Sequence, residues 1–239
     1  MTVEGITIAN SAFHAVMLQG GYDPEVVNLH SWVKILGWRG NGDGINPGGN
    51  GIIEDCFIRS QDDSSYVTGK GMRRIVYWQD SNGSTFVLTP LGGDSLNSHA
   101  LLVEDCTVVY SRAHWHHWAG GNLFNMRGSG GGSGGYSLTF RNIRVEDPRP
   151  TLQHFKILME AVEPWFGADD DKRRGPGDIY GVTFQNISMA AYSVMEEPEV
   201  LWGMEDGLIY GLEFDNVCIA GDCVQNIDFF LHNEFVLEG

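Results

Sequence analysis

The sequence predicts an all-β protein wound as a parallel β-helix, a solenoid of about eight coils forming one domain over residues 1–239. Three observations predict it. One phrase recurs: GITIANSAF (5–13), GIIEDCFI (51–58), ALLVEDCTVV (100–109), SLTFRNIRV (137–145), GVTFQNISM (181–189) and GLEFDNVCI (211–219). Its apolar and polar residues alternate, and a period of two marks a strand with one face turned inward. Each phrase also carries Asn or Asp near its middle, at Asn10, Asp55, Asp105, Asn142, Asn186 and Asn216. These residues tolerate left-handed backbone angles and bond to nearby backbone, so they fit a tight bend between two strands and would stack into a ladder. Finally, 32 glycines against 8 prolines suit many strands joined by tight turns. A propeller would show longer, even periods, which the short and uneven spacing here does not match.

Taken in order, the phrases at 5–13 and 51–58 bracket a further coil around Val33 to Leu36, and Arg74 to Trp78 supplies another before the phrase at 100–109. Val, Ile, Leu and Phe of the phrases point inward, with Ile53 and Phe140 as test positions. The best helical candidate, Leu152 to Val162, is short and lies in a long excursion between coils. GSGGGSGG (128–135) reads as a flexible linker. Cys56 and Cys106 sit at matching places and are expected to be buried small hydrophobes. Cys218 and Cys223 close a short loop if the turn at Gly221-Asp222 brings them together, a matter of geometry.

Composition bounds the partners. A hydrophobic content of 42% is that of a globular chain, and 31 acidic against 15 basic residues give a formal charge of −16. That charge repels nucleic acid and anionic lipid, so a neutral partner fits better. The apolar runs are too short to span a bilayer, and Met1 is followed at once by patterned sequence without a basic and an apolar leader region, so no signal peptide is expected.

The chemistry concentrates in VKILGWRGNGDGINPGGNGIIEDCFIRSQDDSSYVT (33–68), which holds Asp43 in NGDGI and the pair Asp62 and Asp63 in SQDDS. Asp43 and Asp62 are 19 residues apart, about one coil, and stacked coils lie roughly 4.8 Å apart, so the carboxylates are expected to converge. Close carboxylates are what hydrolysis of a glycosidic bond needs, although Asp-Gly and Asp-Asp pairs are also ordinary loop turns. Adjacent strand residues face opposite ways, so Asp62 and Asp63 share a cleft only if the chain bends there.

With these residues the chain resembles the pectin-hydrolase clan of right-handed β-helices. NGDGI followed by SQDDS is similar to the Asn-Thr-Asp and Asp-Asp motifs shared by the polygalacturonases of glycoside hydrolase family 28 and the dextranases and isopullulanase of family 49. Family 49 looks nearer: the Asp to Asp-Asp interval is similarly short, and IVYWQDSNGSTFVL (75–88) and VVYSRAHW (108–115) look like its coils beyond the catalytic ones. The likeness covers about residues 26–118. It implies an inverting O-glycoside hydrolase with Asp62 as general acid and Asp43 and Asp63 holding the water. It implies no cofactor, a polysaccharide or oligosaccharide as partner, and a secreted location. The Gly-His-Gly and Arg-x-Lys motifs that hold a uronic acid in polygalacturonases are missing, so a neutral glucan of dextran or pullulan type is expected in preference to pectin. Family 49 enzymes carry a β-sandwich ahead of the β-helix and nothing precedes Val3 here, so an excised or minimal relative is expected.

Candidate substrate contacts are Asn41, Lys70, Trp78, Arg112 and Trp115; Lys70, Arg73 and Arg74 either bind sugar hydroxyls or balance the acidic cleft. His114 to Trp118 and Asp169 to Asp171 read as surface loops, and no metal site is expected. Two other functions stay open. A non-catalytic carbohydrate-binding or structural β-helix would bind sugar without product, and a polysaccharide lyase or pectin hydrolase would need a uronate substrate.

Overall fold

In the computed structural model, residues 2–17, 28–30, 32–46, 51–67, 70–80, 83–88, 101–111, 122–127, 134–148, 154–158, 178–191, 199–205 and 207–238 are described. Strands come in threes. Thr2–Glu4, Thr7–Ala9 and Val16–Met17 form one repeat, followed by Asn28–His30, Lys34–Leu36 and Ile45–Asn46, then Ile52–Glu54, Phe57–Ser60 and Ser65–Tyr66. Gly71–Arg73, Val76–Gln79 and Phe86–Leu88 make the next repeat, and Leu101–Glu104, Thr107–Ser111 and Phe124–Arg127 follow. Further on, the first two strands merge into single bent ones: Gly134–Val145 precedes Phe155–Leu158, Ile179–Met189 precedes Val200–Trp202, and Ile209–Ile219 precedes Leu231–His232. Each strand pairs in parallel with its counterparts in the neighbouring repeats, as in Ile53 with Met72 and Met72 with Val103. The result is two long parallel sheets, the arrangement of a solenoid.

The bends have a common backbone cause. Asp55, Arg74, Asp105, Asn142, Asn186 and Asn216 all have φ between 53° and 55° except Asn186 at 52°, each at the junction of the first two strands of its repeat. Their side chains form the expected ladder: Asn142 Nδ2 donates to Asp105, Asn186 to Asn142 and Asn216 to Asn186, at 2.9, 3.3 and 3.0 Å. Asn10 also has positive φ, yet it follows Thr7–Ala9; Gly5, at φ 64°, makes the junction bend of that repeat. Arg74 is an unexpected occupant of a left-handed position, and two hydrogen bonds to Asp55 hold it there.

Inward side chains make a continuous core. Ile53 and Phe140 are buried as expected. Phe86, Phe124 and Phe155 stack face to face at 5.4 and 4.9 Å, and Phe140, Phe184 and Phe214 form a second column at 5.3 and 5.2 Å. The two columns meet edge to face, the arrangement that the ring quadrupole favours. Cys56 and Cys106 are free and buried, and burial pushes both thiols up to about 12. Cys218 and Cys223 are joined as a disulfide across an antiparallel pair that turns at Gly221. Phe155–Leu158 is a strand, so the helical candidate at 152–162 is not a helix there. Phe155 and Ile157 lie in a stacked repeat, where ladder bonds to Phe124–Arg127 and Val200–Trp202 override a short helical period; the rest of 152–162 beyond 154–158 lies outside the described residues. Gly134 and Gly135 pair with Ile179 and Tyr180, so the end of the glycine-rich stretch is strand; the rest of it lies outside the described residues.

Candidate active site

The third strands fix the site. Val16 pairs with Ile45, Ile45 with Ser65 and Ser65 with Phe86, so two residues earlier His14, Asp43, Asp63 and Ser84 stand level on four stacked repeats. Backbone bonds tie this corner together: Ala15 N to Asp43 O at 2.9 Å, Gly44 N to Asp63 O at 2.8 Å and Ser64 N to Ser84 O at 2.8 Å. Asp43 is thus level with Asp63, 20 residues on, rather than with Asp62. Asp62 and Asp63 lie where the chain bends between strands Phe57–Ser60 and Ser65–Tyr66, which lets both leave the strand's strict alternation.

Hydrogen bonds set each carboxylate. Asp62 Oδ1 accepts from the amide of Asp63 at 2.9 Å. Asp63 Oδ1 accepts from the amide of Ser84 at 2.7 Å. The Tyr66 hydroxyl stands between two acceptors, 2.8 Å from Asp43 Oδ2 and 3.2 Å from Asp63 Oδ2. His14 Nδ1 is 3.1 Å from the same Asp43 oxygen, close but without the angle of a hydrogen bond.

Electrostatics follow from burial. Asp43 is only 8% exposed, and that burial, helped by the charges of Asp62 and Asp63 and opposed by the Tyr66 hydrogen bond, pushes its carboxyl up to about 7. Burial lowers the imidazole of His14 below its ordinary value, against the pull of Asp62. The Tyr66 phenol is driven far up by burial and by the charges of Asp63 and Asp43, so it keeps its proton. Three carboxylates, one of them protonated near neutrality, can together give a proton and take one from water.

Close packing leaves no slack. A Cβ at Gly83, whose φ is +70°, would overlap the Asp63 amide and Asp62 carbonyl carbon, and a Cβ at Gly44 would overlap Ser64 O. Below the carboxylates lies a buried polar layer, in which Ser60 and Ser64 share a hydrogen bond of 2.6 Å and Ser84 bonds to Asn122 and Asn125.

The other expected contacts scatter. Asn41 sits exposed with φ 58° two residues before Asp43. Trp78 belongs to an outer column, stacked on Tyr110 at 4.8 Å with the Arg59 guanidinium 5.7 Å from its ring, so one face of it is already covered. Lys70 is exposed at the start of Gly71–Arg73, a different corner of the repeat. Arg73 pairs with Glu54, and Arg74 with Glu54 and Asp55, so these two balance outer-sheet acids rather than the cleft. Arg112 and Trp115 lie outside the described residues. Reading the sequence missed His14, Tyr66 and the exposed Phe13, whose ring meets that of His14 edge-on at 4.4 Å. Only strand register reveals His14 and Tyr66, because neither belongs to a motif.

The chain is similar to dextranases. It is 23% identical to the dextranase of Arthrobacter globiformis over 119 residues, which are 48% of this chain and 18% of that protein, and matches the dextranase of Arthrobacter sp. (strain CB-8) to the same extent. The match thus spans about a fifth of the length of these curated relatives. No family model matches the chain, and no solved structure matches it.

Proposed function

We propose that this chain is one right-handed parallel β-helix domain of about eight coils that hydrolyses a neutral glucan of the dextran or pullulan type, with inversion, as a distant relative of glycoside hydrolase families 49 and 28. The observation that carries the reading is the convergence of Asp43, Asp62 and Asp63 at one corner of adjacent repeats, with Asp43 protonated up to about 7. The likeness to dextranases supports the substrate class. The charge of −16 favours an uncharged polymer over polygalacturonate. Asp62 gives its proton to the leaving oxygen, and Asp63 with Asp43 holds and activates the water on the opposite side of the sugar. The exposed Phe13 offers a flat face for a pyranose ring beside the carboxylates. A location outside the cytoplasm fits the disulfide on a surface hairpin, since such bonds persist in oxidising compartments.

One observation favours a second assignment of the acid. Burial and the charges of Asp62 and Asp63 push the Asp43 carboxyl up to about 7, so Asp43 is the alternative donor. Asp62→Asn and Asp43→Asn separate the two on dextran and on a glucoside with an activated aryl leaving group. Loss of the donor costs about two to four orders of magnitude on dextran and much less on the activated substrate. Loss of a water-holding carboxylate costs similarly on both. Asp62→Asn is expected to show the first pattern; if Asp43→Asn shows it instead, the roles exchange. If the unsubstituted protein releases no reducing sugar from dextran or pullulan, the hydrolase reading fails.

A further inference from the structure

Tyr66 stands where no sequence motif puts a functional group. Its hydroxyl has one proton and two carboxylate neighbours, Asp43 Oδ2 at 2.8 Å and Asp63 Oδ2 at 3.2 Å. One proton cannot serve two ionised carboxylates well, so the arrangement is complete when one of them carries a proton of its own. We propose that Tyr66 is a positioning residue that joins Asp43 and Asp63 into one proton-sharing unit, with the extra proton on Asp43 and Asp63 left ionised to take a proton from water. This rests on the hydrolase reading for its use in catalysis, though the proton sharing itself does not.

The surroundings favour this distribution. Asp63 Oδ1 also accepts from the amide of Ser84 in the next repeat, and a backbone N–H aimed at a carboxylate stabilises its ionised form. Asp43 is the more deeply buried partner, which favours its neutral form. The titratable and charged groups that face Asp43 are His14 from the preceding repeat, Tyr66 from the following strand, and Asp62 and Asp63 from the bend. Burial lowers the His14 imidazole, which weakens any positive charge there that would pull the proton off Asp43. When Asp63 takes a proton from water, it donates to the Tyr66 oxygen while the Tyr66 proton leans to Asp43. The O–H bond broken in water is thus matched by one formed at Asp63, and the phenol remains neutral throughout.

The sharing predicts opposite shifts in two variants. In Tyr66→Phe the ionised form of Asp43 loses its hydrogen bond, so the Asp43 carboxyl should titrate above the value of about 7 by about one unit. In Asp63→Asn the like charge is gone and the Tyr66 proton belongs to Asp43 alone, so Asp43 should titrate lower. Carbon-13 NMR of aspartate-labelled protein reads both without any substrate, with Asp43→Asn to assign the resonance. On dextran, Tyr66→Phe should lower kcat about 10- to 100-fold at little change in KM, with the acid limb of the pH profile moved up. An Asp43 titration unmoved in both variants, or moved in the same direction in both, overturns the proposal. Should Tyr66→Phe fail to fold, Tyr66→Trp and Tyr66→Leu take its place, and a failure of the Asp43 titration to rise in them overturns the proposal. Should the unsubstituted protein show no hydrolysis, the hydrolase reading falls and the NMR titration still tests the shared proton.

Discussion

At the scale of single residues, the burial of Asp43 costs stability as pH rises. Its carboxyl ordinarily titrates at 3.8 and here titrates at about 7. Below 3.8 it is protonated folded or unfolded and costs nothing; between 3.8 and about 7 the unfolded chain ionises while folded Asp43 keeps its proton, so stability falls as pH rises. The cost levels off above 7 on the order of 4 kcal/mol. Asp43→Asn, neutral at every pH, should therefore raise the unfolding free energy at pH 8 relative to the parent and much less at pH 4, as urea unfolding at the two pH values will read. An equal effect at both would mean that Asp43 is not held protonated. Gly83 is constrained by contact instead. Gly83→Ala puts a Cβ into the Asp62-Asp63 peptide and strains a φ of +70°, so the variant should lose more than about 1 kcal/mol and most of any activity. Gly40→Ala, where a Cβ meets nothing, is the control.

At the scale of elements, the bends and the third strands decide what the sequence shows. Asn186 bonds to Asn142 on one side and accepts from Asn216 on the other, in a left-handed conformation. Asn186→Ala should cost about 1–2 kcal/mol by thermal unfolding, and Asn186→Gly less, because glycine keeps the backbone angle and loses only the ladder. Equal costs would assign the whole effect to the side-chain ladder. The strands around these bends were legible because alternation and a central Asn or Asp coincide in GIIEDCFI and GVTFQNISM. Asn10 misled, since ITIANS copies that pattern one strand late while Gly5 makes the bend. Arg74 was illegible as a bend residue because arginine has no left-handed preference of its own, and Asp55 in the neighbouring repeat holds it. The three aspartates were readable from their motifs, but their partners were not: Tyr66 and His14 meet Asp43 through strand register alone.

At the scale of the whole molecule, the phenylalanine columns join the fourth repeat to the last, from Phe86 to Phe214. Phe184 is buried and touches Phe124, Phe140, Phe155 and Phe214, so Phe184→Ala should cost about 3–5 kcal/mol by denaturant unfolding. It lies repeats away from the carboxylates, so at temperatures where it stays folded its catalytic pH profile should match the parent's. The same stacking that builds the core brings Asp43 and Asp63 level, since each described repeat adds one strand to the eight-stranded sheet of third strands, and Ile45 pairs in register with Ser65 there. Whether that placement performs an inverting hydrolysis is tested most directly by proton NMR of the first product released from an isomalto-oligosaccharide. The three-aspartate reading predicts a β-configured reducing end from the α linkage before mutarotation, abolished in Asp62→Asn. A product released with retained α configuration, or binding of the oligosaccharide with no product at all, would contradict it.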